Sequence, residues 1–244
     1  MIVCIPSKGR PQTKTYKLFE DVGIKVFHFI EPEELELYKV PNKISIKKNN
    51  GGIGYVRNFI LNWAKSNNYE WIIMCDDDVS DFGVAINNKC ITKDASIWFN
   101  IFNKAKKLPF EIYGINYRQH AWHEKKEYNI NSKFVEVCIL LNVNKIYHIY
   151  RNNFDLKEDR DFILQTIKNC NGIVKFNKLF YNCPGVGKNK GGLYNDYKIK
   201  KDEESAKKMC KEWYPFITLQ HKQDRIDIKT DIKKLAIYYN RVVK

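Results

Sequence analysis

Three consecutive carboxylates, Asp76, Asp77 and Asp78, are the residues of this sequence best suited to chemistry. They follow an unbroken apolar run, residues 71–75, which predicts a strand buried on both faces. Since buried parallel strands present their carboxyl ends to a ligand crevice, we expect the three carboxylates to lie in that crevice. Adjacent carboxylates repel one another, and a hard divalent cation bound through oxygen relieves the repulsion. The alternative is a solvated acidic turn after the strand.

A second acidic segment, residues 155–161, includes Glu158 and Asp159 and opens an amphipathic helix. Carboxylates in the first turn of a helix interact favourably with its dipole, so capping alone explains their position. In the functional interpretation, one carboxylate points into the crevice as a general base and takes a proton from an acceptor hydroxyl. The residues alone leave both interpretations open.

Two loops are suited to bind an anion such as phosphate. The first, residues 7–11, follows a predicted buried strand and precedes a helix, which is a nucleotide-facing arrangement. The second, residues 49–54, is rich in glycine and precedes a helix whose dipole favours an anion at its start. Its glycines do not match the Walker pattern, because no Lys-Ser/Thr pair follows them. The polar and basic side chains near these loops are Ser7, Arg10, Arg57 and Asn58.

Two further loops are basic, and we expect both to lie over the crevice. Residues 118–126 mix polar, basic and aromatic side chains without periodicity, and they include Arg118, His120, Trp122 and His123. The spacing of the two histidines is compatible with metal binding, but we predict a loop that contacts an acceptor. Residues 183–195 contain four glycines with Lys188 and Lys190, which suits a mobile loop closing over phosphates or a plain surface connection.

The composition predicts one compact domain with a C-terminal extension in a reducing compartment. The chain has 244 residues, of which 44% are hydrophobic, and this is enough for a core. No apolar run approaches the roughly 20 residues that span a bilayer, and no signal peptide is recognisable, so we expect a cytoplasmic protein without a membrane partner. Its seven cysteines lack paired spacing and predict buried free thiols rather than a zinc site.

The net charge of +14 is unevenly distributed. Residues 1–118 carry 17 basic and 13 acidic side chains, whereas residues 119–244 carry 25 basic and 15 acidic ones. The second part therefore has a net charge of +10 and is the part that we expect to face a polyanion such as nucleic acid. A compositional bias toward Lys, Asn and Ile, as from an AT-rich genome, would also raise the charge.

The order of the predicted elements is typical of an α/β fold. Strands and helices alternate over the first third of the chain, which indicates a mostly parallel sheet flanked by helices. A helix is predicted at 203–213, and a basic helix at 229–243 forms the end of the chain.

Four motifs in this order, residues 5–10, 54–58, 74–78 and 157–159, resemble those of a glycosyltransferase of the GT-A fold, a Rossmann-like architecture. The resemblance spans residues 1–185 and is greatest to the small glycosyltransferases encoded beside TET/JBP-type oxygenases, many of them in bacteriophages. It implies a GT-A domain over residues 1–200 and a basic helical extension over residues 201–244 that packs on the same domain.

The resemblance also implies roles for individual residues. Asp76 would face the ribose or the metal, and Asp78 would coordinate a Mn²⁺ or Mg²⁺ ion that bridges the donor diphosphate. Asp159, with Glu158 beside it, matches the pair that supplies the base in inverting members. Such members often add a later histidine as a metal ligand, and here that histidine is His221. The nucleotide pocket would be lined by Pro6, Ser7, Arg10, Arg57 and Asn58.

The family's activity implies a nucleotide-sugar donor, most simply UDP-glucose, and a hydroxymethylated pyrimidine in double-stranded DNA as acceptor. The basic second part of the chain would then contact the DNA backbone through Arg118, His120, Trp122, His123, Lys188 and Lys190. Three alternatives remain on the residues: a polysaccharide or protein acceptor, a nucleotidyltransferase, and a DNA-binding protein without catalytic activity. The oligomeric state is left open.

Overall fold

A central mixed β-sheet organises the computed structural model, which describes residues 1–132, 134–154, 156–185, 188–194, 201–222 and 225–241. The sheet has ten strands within these residues. Helices cover both of its faces, so the predicted α/β class is confirmed. The sheet is parallel in its first half and mixed in its second half.

The first half of the sheet contains four parallel strands in the order β3-β2-β1-β4. Every residue of β1, β2 and β4 is buried, which explains why these strands read as continuous apolar runs. The elements of this half are β1 (Ile2–Ser7), α1 (Thr15–Glu20), β2 (Val26–Ile30), a 3-10 turn (Pro32–Glu34), β3 (Lys43–Ser45), α2 (Ile53–Ser66) and β4 (Trp71–Cys75).

The second half adds six strands, which are β5 (Asp81–Ile86), β6 (Lys89–Lys93), β7 (Ile112–Tyr117), β8 (Tyr128–Ile130), β9 (Cys138–Asn142) and β10 (Ile173–Asn182). Strand β9 is antiparallel to both β4 and β7, so β7 runs in the direction of β4. Strand β10 is parallel to β7. The carboxyl ends of β1, β4, β7 and β10 therefore share one edge of the sheet, which we call the carboxyl edge.

Three helices complete this domain, α3 (Ile97–Ala105), α4 (Arg118–Ala121) and α5 (Glu158–Asn169). Helices α2 and α5 bury Ile60 and Phe162 on one face of the sheet, and α1 and α3 bury Phe19 and Trp98 on the other. The two apolar clusters fix the helices against the sheet. They also fix the N-terminal halves of α2 and α5, which carry the predicted site residues Arg57, Asn58, Glu158 and Asp159.

The C-terminal segment is not wholly helical, and the prediction of a helical extension was wrong in this respect. It consists of α6 (Lys201–Glu212), the antiparallel hairpin β11 (Ile217–Lys222) and β12 (Arg225–Thr230), and α7 (Ile232–Tyr238). The helix predicted from residue 229 begins later because Asp231 caps it, accepting a hydrogen bond from the backbone N–H of Lys234. Met209 and Leu235 join the apolar cluster of α2 and α5, so the segment packs on the domain.

All seven cysteines are free thiols, as the sequence predicts, but only four of them are buried, whereas Cys90, Cys183 and Cys210 are partly exposed. Among the described residues, no helix combines the length and the apolar character needed to cross a bilayer.

Candidate functional site

The carboxyl edge brings together the motifs that the sequence separates. Asp76, Asp77 and Asp78 follow β4 directly, next to the end of β1 and the loop after it. Helices α2 and α5 point their first turns toward the same edge. Each aspartate has a different environment, and the three are therefore described in turn.

Asp77 is buried and anchors the triplet to the end of β1. Its carboxylate accepts a hydrogen bond from the Ser7 hydroxyl and pairs with Arg10 Nη1 at 2.5 Å. The Thr13 hydroxyl donates to the Asp77 backbone oxygen at 2.5 Å. Burial raises the pKa of Asp77, and Arg10 and Ser7 oppose that shift. Ser7 and Arg10 thus support the carboxylates, and donor binding by them and by Pro6, which is buried in β1, stays a prediction.

Arg57, on the second turn of α2, joins Asp76 to Glu158. Its Nη2 lies 3.1 Å from Asp76 Oδ1, and its Nη1 lies 2.8 Å from Glu158 Oε1. Burial raises the pKa of Asp76 to about 6, although Arg57 opposes the shift. Burial also raises the pKa of Glu158, with a further contribution from Asp159, and Arg57 again opposes the shift. One guanidinium therefore links the end of β4 to the start of α5.

Asn58 lies beside Arg57 but faces the main chain of Tyr150. Its Nδ2 donates to the Tyr150 oxygen at 2.7 Å, and its Oδ1 accepts from the Tyr150 nitrogen at 2.8 Å. The ring of Tyr150 stacks on Phe162 of α5, with 3.8 Å between centroids. Asn58 therefore connects α2 to the segment before α5. Both polar atoms of its side chain bond to the main chain of Tyr150 and not toward the predicted donor.

Asp159, the second residue of α5, is half-buried, whereas Glu158 is only 4% exposed. The next residue, Arg160, donates to Glu136 through Nε at 2.7 Å. Burial raises the pKa of Glu136, while Arg160 opposes the shift. Sequence reasoning missed Glu136, because nothing in its neighbourhood distinguishes it from a surface carboxylate.

Asp78 contacts the glycine-rich loop after β10. Asn189 Nδ2 donates to Asp78 Oδ2 at 3.1 Å, and Arg10 Nη1 lies 3.4 Å from the same oxygen. The loop is held from the other side, because Arg10 Nε donates to the Lys190 oxygen at 2.9 Å. Lys188 and Lys190 have exposed side chains on this loop. The predicted loop lies over the carboxylates, and its residues 186–187 and 195 lie outside the described part of the chain.

The predicted acceptor loop starts at the same edge as a short helix, α4, directly after β7. Arg118 Nη1 lies 3.4 Å from Asp81 Oδ1, at the start of β5. His120 and Gln119 are in ring-to-amide contact at 3.3 Å, and the rings of Trp122 and His123 are 3.2 Å apart. The four predicted acceptor residues, Arg118, His120, Trp122 and His123, are therefore neighbours at the carboxyl edge.

Two carboxylates of the triplet fit a divalent cation. Asp76 and Asp78 keep 32% and 20% of their side chains exposed, and Mg²⁺ is commonly held by one or two carboxylates with phosphate oxygens and waters. Within the described residues, no group of three or more His, Cys, Asp and Glu side chains is placed to hold a metal. His221 lies exposed on β11, and no contact in the described part joins it to the triplet. Asp76 and Asp78 therefore fit the ion with phosphate oxygens and waters as its other ligands, and the predicted ligand His221 is not among them.

The fold is that of an α/β protein with carboxylates and guanidinium groups at the carboxyl edge of its sheet, which is where open α/β sheets bind their ligands. The chain belongs to the TET-Associated Glycosyltransferase family, whose model matches residues 1–192, and this makes it a glycosyltransferase. No curated protein matches the chain. A solved structure titled "Crystal Structure of A197 from STIV" is similar at 12% identity and a TM-score of 0.46, over 74% of this chain and 83% of that one.

Proposed function

We propose that the protein transfers a sugar, glucose in the simplest case, from a nucleotide sugar to the hydroxyl of a hydroxymethylated pyrimidine in DNA. The observation that carries the proposal is the double contact of Arg57 with Asp76 and Glu158. This contact supports the proposal because it joins Asp76, on the proposed donor side, to Glu158, the neighbour of the proposed base Asp159. The nucleotide sugar lies against the end of β1 and β4, and the acceptor lies toward α5 and α4.

The donor side uses charged groups that the structure holds firmly in place. Arg10 and the backbone of the loop after β1 face the diphosphate, and Arg57 fixes Asp76 beside the ribose or the ion. Asp76 and Asp78 would hold the Mn²⁺ or Mg²⁺, which neutralises charge on the departing nucleoside diphosphate. The glycine-rich loop at 188–192 adds Lys188 and Lys190 to the same face.

Asp159 is the base of the proposed reaction. Glu158 is buried against Arg57, whereas Asp159, in the first turn of α5, is half-buried and therefore the more accessible of the two. An accessible carboxylate takes the proton from the acceptor hydroxyl as that oxygen attacks the anomeric carbon, with inversion of configuration. Glu158 therefore has a positioning role, and Arg57 connects it to the donor side.

The acceptor is assigned to DNA from charge and from family membership. The residues after 118 carry a net charge of +10, and Arg118 lies at the carboxyl edge with exposed histidines beside it. A duplex with a phosphate every few ångströms is the polyanion that such a surface attracts. A neutral polysaccharide would gain nothing from this charge.

A transfer assay with defined DNA tests the proposal. The protein is incubated with a duplex that contains one 5-hydroxymethylpyrimidine, with UDP-glucose and Mn²⁺, and the product is analysed by mass spectrometry. The expected result is a mass increase of one hexose, which is absent without the hydroxymethyl group. Asp78→Asn abolishes the transfer, whereas Asp21→Asn, at an exposed site after α1, leaves it unchanged. Transfer to a polysaccharide or protein, with none to DNA from any nucleotide sugar, contradicts the proposed acceptor.

A further inference from the structure

A cavity that none of the three aspartates lines opens at the carboxyl edge. It has a volume of about 320 Å³ and is lined by Cys90, Arg118, Gln119, Trp122 and Asn182. Arg118 and Gln119 open α4 after β7, and Asn182 is the last residue of β10. Because β7 and β10 are parallel neighbours, the cavity lies over the ends of two adjacent strands. Ligands of α/β proteins bind at such places.

The cavity is a short distance from the carboxylates. Asn182 is paired with Asp81 across β10 and β5, and Arg118 Nη1 lies 3.4 Å from Asp81 Oδ1. Asp81 follows Asp78 by three residues, which span at most about 11 Å of chain. The cavity therefore lies beside the segment that carries the aspartate triplet, on its β10 side.

The side chains of the cavity combine one aromatic face with amides. The indole of Trp122 is 42% exposed. The amide of Asn182 is fixed, because its Nδ2 donates to Asp81 Oδ2 at 2.9 Å and to Ser80 Oγ at 3.1 Å. Gln119 supplies a second amide on the exposed turn of α4. An aromatic face and amides are the groups that read the edge of a base lifted out of its stack.

The size and the surrounding charge also favour a nucleobase. Ligand cavities range from about 300 to 1,000 Å³, so this one suits a single ring rather than an oligosaccharide. The segment that supplies three of its lining residues, 118–126, carries three basic residues and one acidic residue. A basic rim around an aromatic cavity is an arrangement for a base attached to a phosphate backbone.

We propose that this cavity holds the acceptor pyrimidine after it swings out of the DNA duplex. Trp122 stacks on the base, and the amides of Gln119 and Asn182 bind its polar edge. The proposal rests on the proposed function, because it names how the DNA acceptor reaches the site. It adds that the base enters at α4, on the β10 side of the triplet.

Substitution of Trp122 tests the cavity with two measurements. Duplexes with one 5-hydroxymethylpyrimidine and a neighbouring 2-aminopurine report base extrusion by fluorescence, and they also serve as substrates in steady-state assays. Loss of one stacked base corresponds to about a 5- to 150-fold weaker interaction. Trp122→Ala is therefore expected to raise the KM for DNA by this factor and to suppress the fluorescence increase. The KM for the nucleotide sugar does not change.

Two further variants separate stacking from a loss of folding. Trp122→Phe keeps an aromatic face and recovers most of both signals, while Gln119→Ala raises the KM for DNA without altering the donor KM. Tyr147→Ala removes an aromatic ring that is 85% exposed outside the site and serves as the matched control. Thermal denaturation checks that all variants are folded.

The outcomes distinguish this inference from the proposed function. Transfer to DNA with both signals unchanged in Trp122→Ala overturns the cavity assignment alone. Extrusion that depends on Trp122, without transfer by the wild-type protein, supports the cavity and overturns the proposed reaction. A wild-type protein that does not bind the duplex, or that binds and glycosylates an oligosaccharide instead, overturns both.

Discussion

The guanidinium of Arg57 lies 2.8 Å from the carboxylate of Glu158, and both side chains are almost completely buried, at 6% and 4% exposure. The two residues are 101 positions apart in the chain. Their ion pair joins α2 to α5, and its other arm, to Asp76, joins both helices to β4. One side chain therefore connects three elements of the carboxyl edge.

Removal of Arg57 leaves Glu158 buried without its partner. We expect Arg57→Met to lower the free energy of unfolding by about 3–5 kcal/mol, the usual cost of an uncompensated buried charge. A second substitution, Glu158→Leu, removes that charge, so the double variant recovers most of the loss and remains inactive in transfer. Urea denaturation of the three variants measures the coupling. Additive effects of the two substitutions would show that the pair does not act as a unit.

A second buried carboxylate, Asp161, connects α5 to the C-terminal segment. It is fully buried and accepts from Arg151 Nε at 2.8 Å, Trp213 Nε1 at 2.8 Å and Gln165 Nε2 at 2.7 Å. We expect Trp213→Phe, which removes one hydrogen bond to a charged group, to cost about 1.5–3 kcal/mol. Asp161→Ala costs more, about 3–5 kcal/mol, because it removes the buried acceptor shared by Arg151, Gln165 and Trp213 and leaves the Trp213 indole N–H without its partner. Chemical denaturation measures the free energy of unfolding of both variants. A larger loss of stability in Trp213→Phe than in Asp161→Ala would contradict this account.

The local patterns of the sequence predict the strands and the carboxyl edge better than they predict the side-chain contacts of the site. An apolar run followed by carboxylates identified β4 and its position in the sheet, because burial on both faces leaves a clear signature. The contact between Arg57 and Glu158 has no such signature, since only the packing of α2 and α5 on one face of the sheet brings them together. Asn58, predicted to face the donor, bonds instead to the Tyr150 main chain.

The hairpin of β5 and β6 was missed although the sequence carries a signal for it. Asn87 and Asn88, between the two strands, both have positive φ, at 50° and 59°. Two consecutive residues of this kind form the tight turns of hairpins, and asparagine is among the residues that tolerate them. The turn residues could therefore have divided the segment after the triplet into two strands.

The glycine-rich loop rests on the loop after β1 at a point where only glycine fits. Gly191 has φ of 92°, and a Cβ at this position would lie 2.9 Å from the Gly9 oxygen and 2.9 Å from Arg10 Cγ. We expect Gly191→Ala to move residues 188–192 away from Arg10 and Asp78, with faster hydrogen exchange there and weaker binding of the nucleotide sugar. Gly185→Ala, whose Cβ meets only the Lys188 side chain at 3.4 Å, is the control. Equal exchange in the two variants would show that the contact does not hold the loop.

Stability should depend on pH through a buried histidine on β2. His28 lies fully buried on β2, 2.9 Å from the Pro41 oxygen, and burial lowers its pKa to about 4. Because the unfolded value is about 6.5, the unfolded chain binds the proton more tightly. The stabilisation is fully present above pH 6.5 and is lost as the pH falls toward 4, by about 3 kcal/mol.

His28→Asn, which keeps a side-chain donor, is expected to reduce this dependence. Urea denaturation at pH 7.5, 6, 5 and 4.5 measures the slope for each protein. His221→Asn, at an exposed histidine on β11, keeps the wild-type slope and serves as the control. Parallel slopes for wild type and His28→Asn would show that His28 does not carry the acid sensitivity and would leave it to other groups, such as His148, whose pKa burial also lowers to about 4.

The two carboxylates at the start of α5 should respond differently to neutralisation. Asp159 is accessible and is the proposed base, so Asp159→Asn is expected to lower kcat by about 10²–10⁴-fold, the usual contribution of general base catalysis. Glu158 is buried, and its Oε2 lacks a hydrogen-bond partner in the described part of the chain, so Glu158→Gln changes kcat much less. Single-turnover rates at saturating donor separate these effects from binding, which calorimetry with the nucleotide sugar measures directly. If Glu158→Gln is the more damaging substitution while donor affinity is unchanged, the base is Glu158, and the ion pair with Arg57 must open before the acceptor hydroxyl loses its proton.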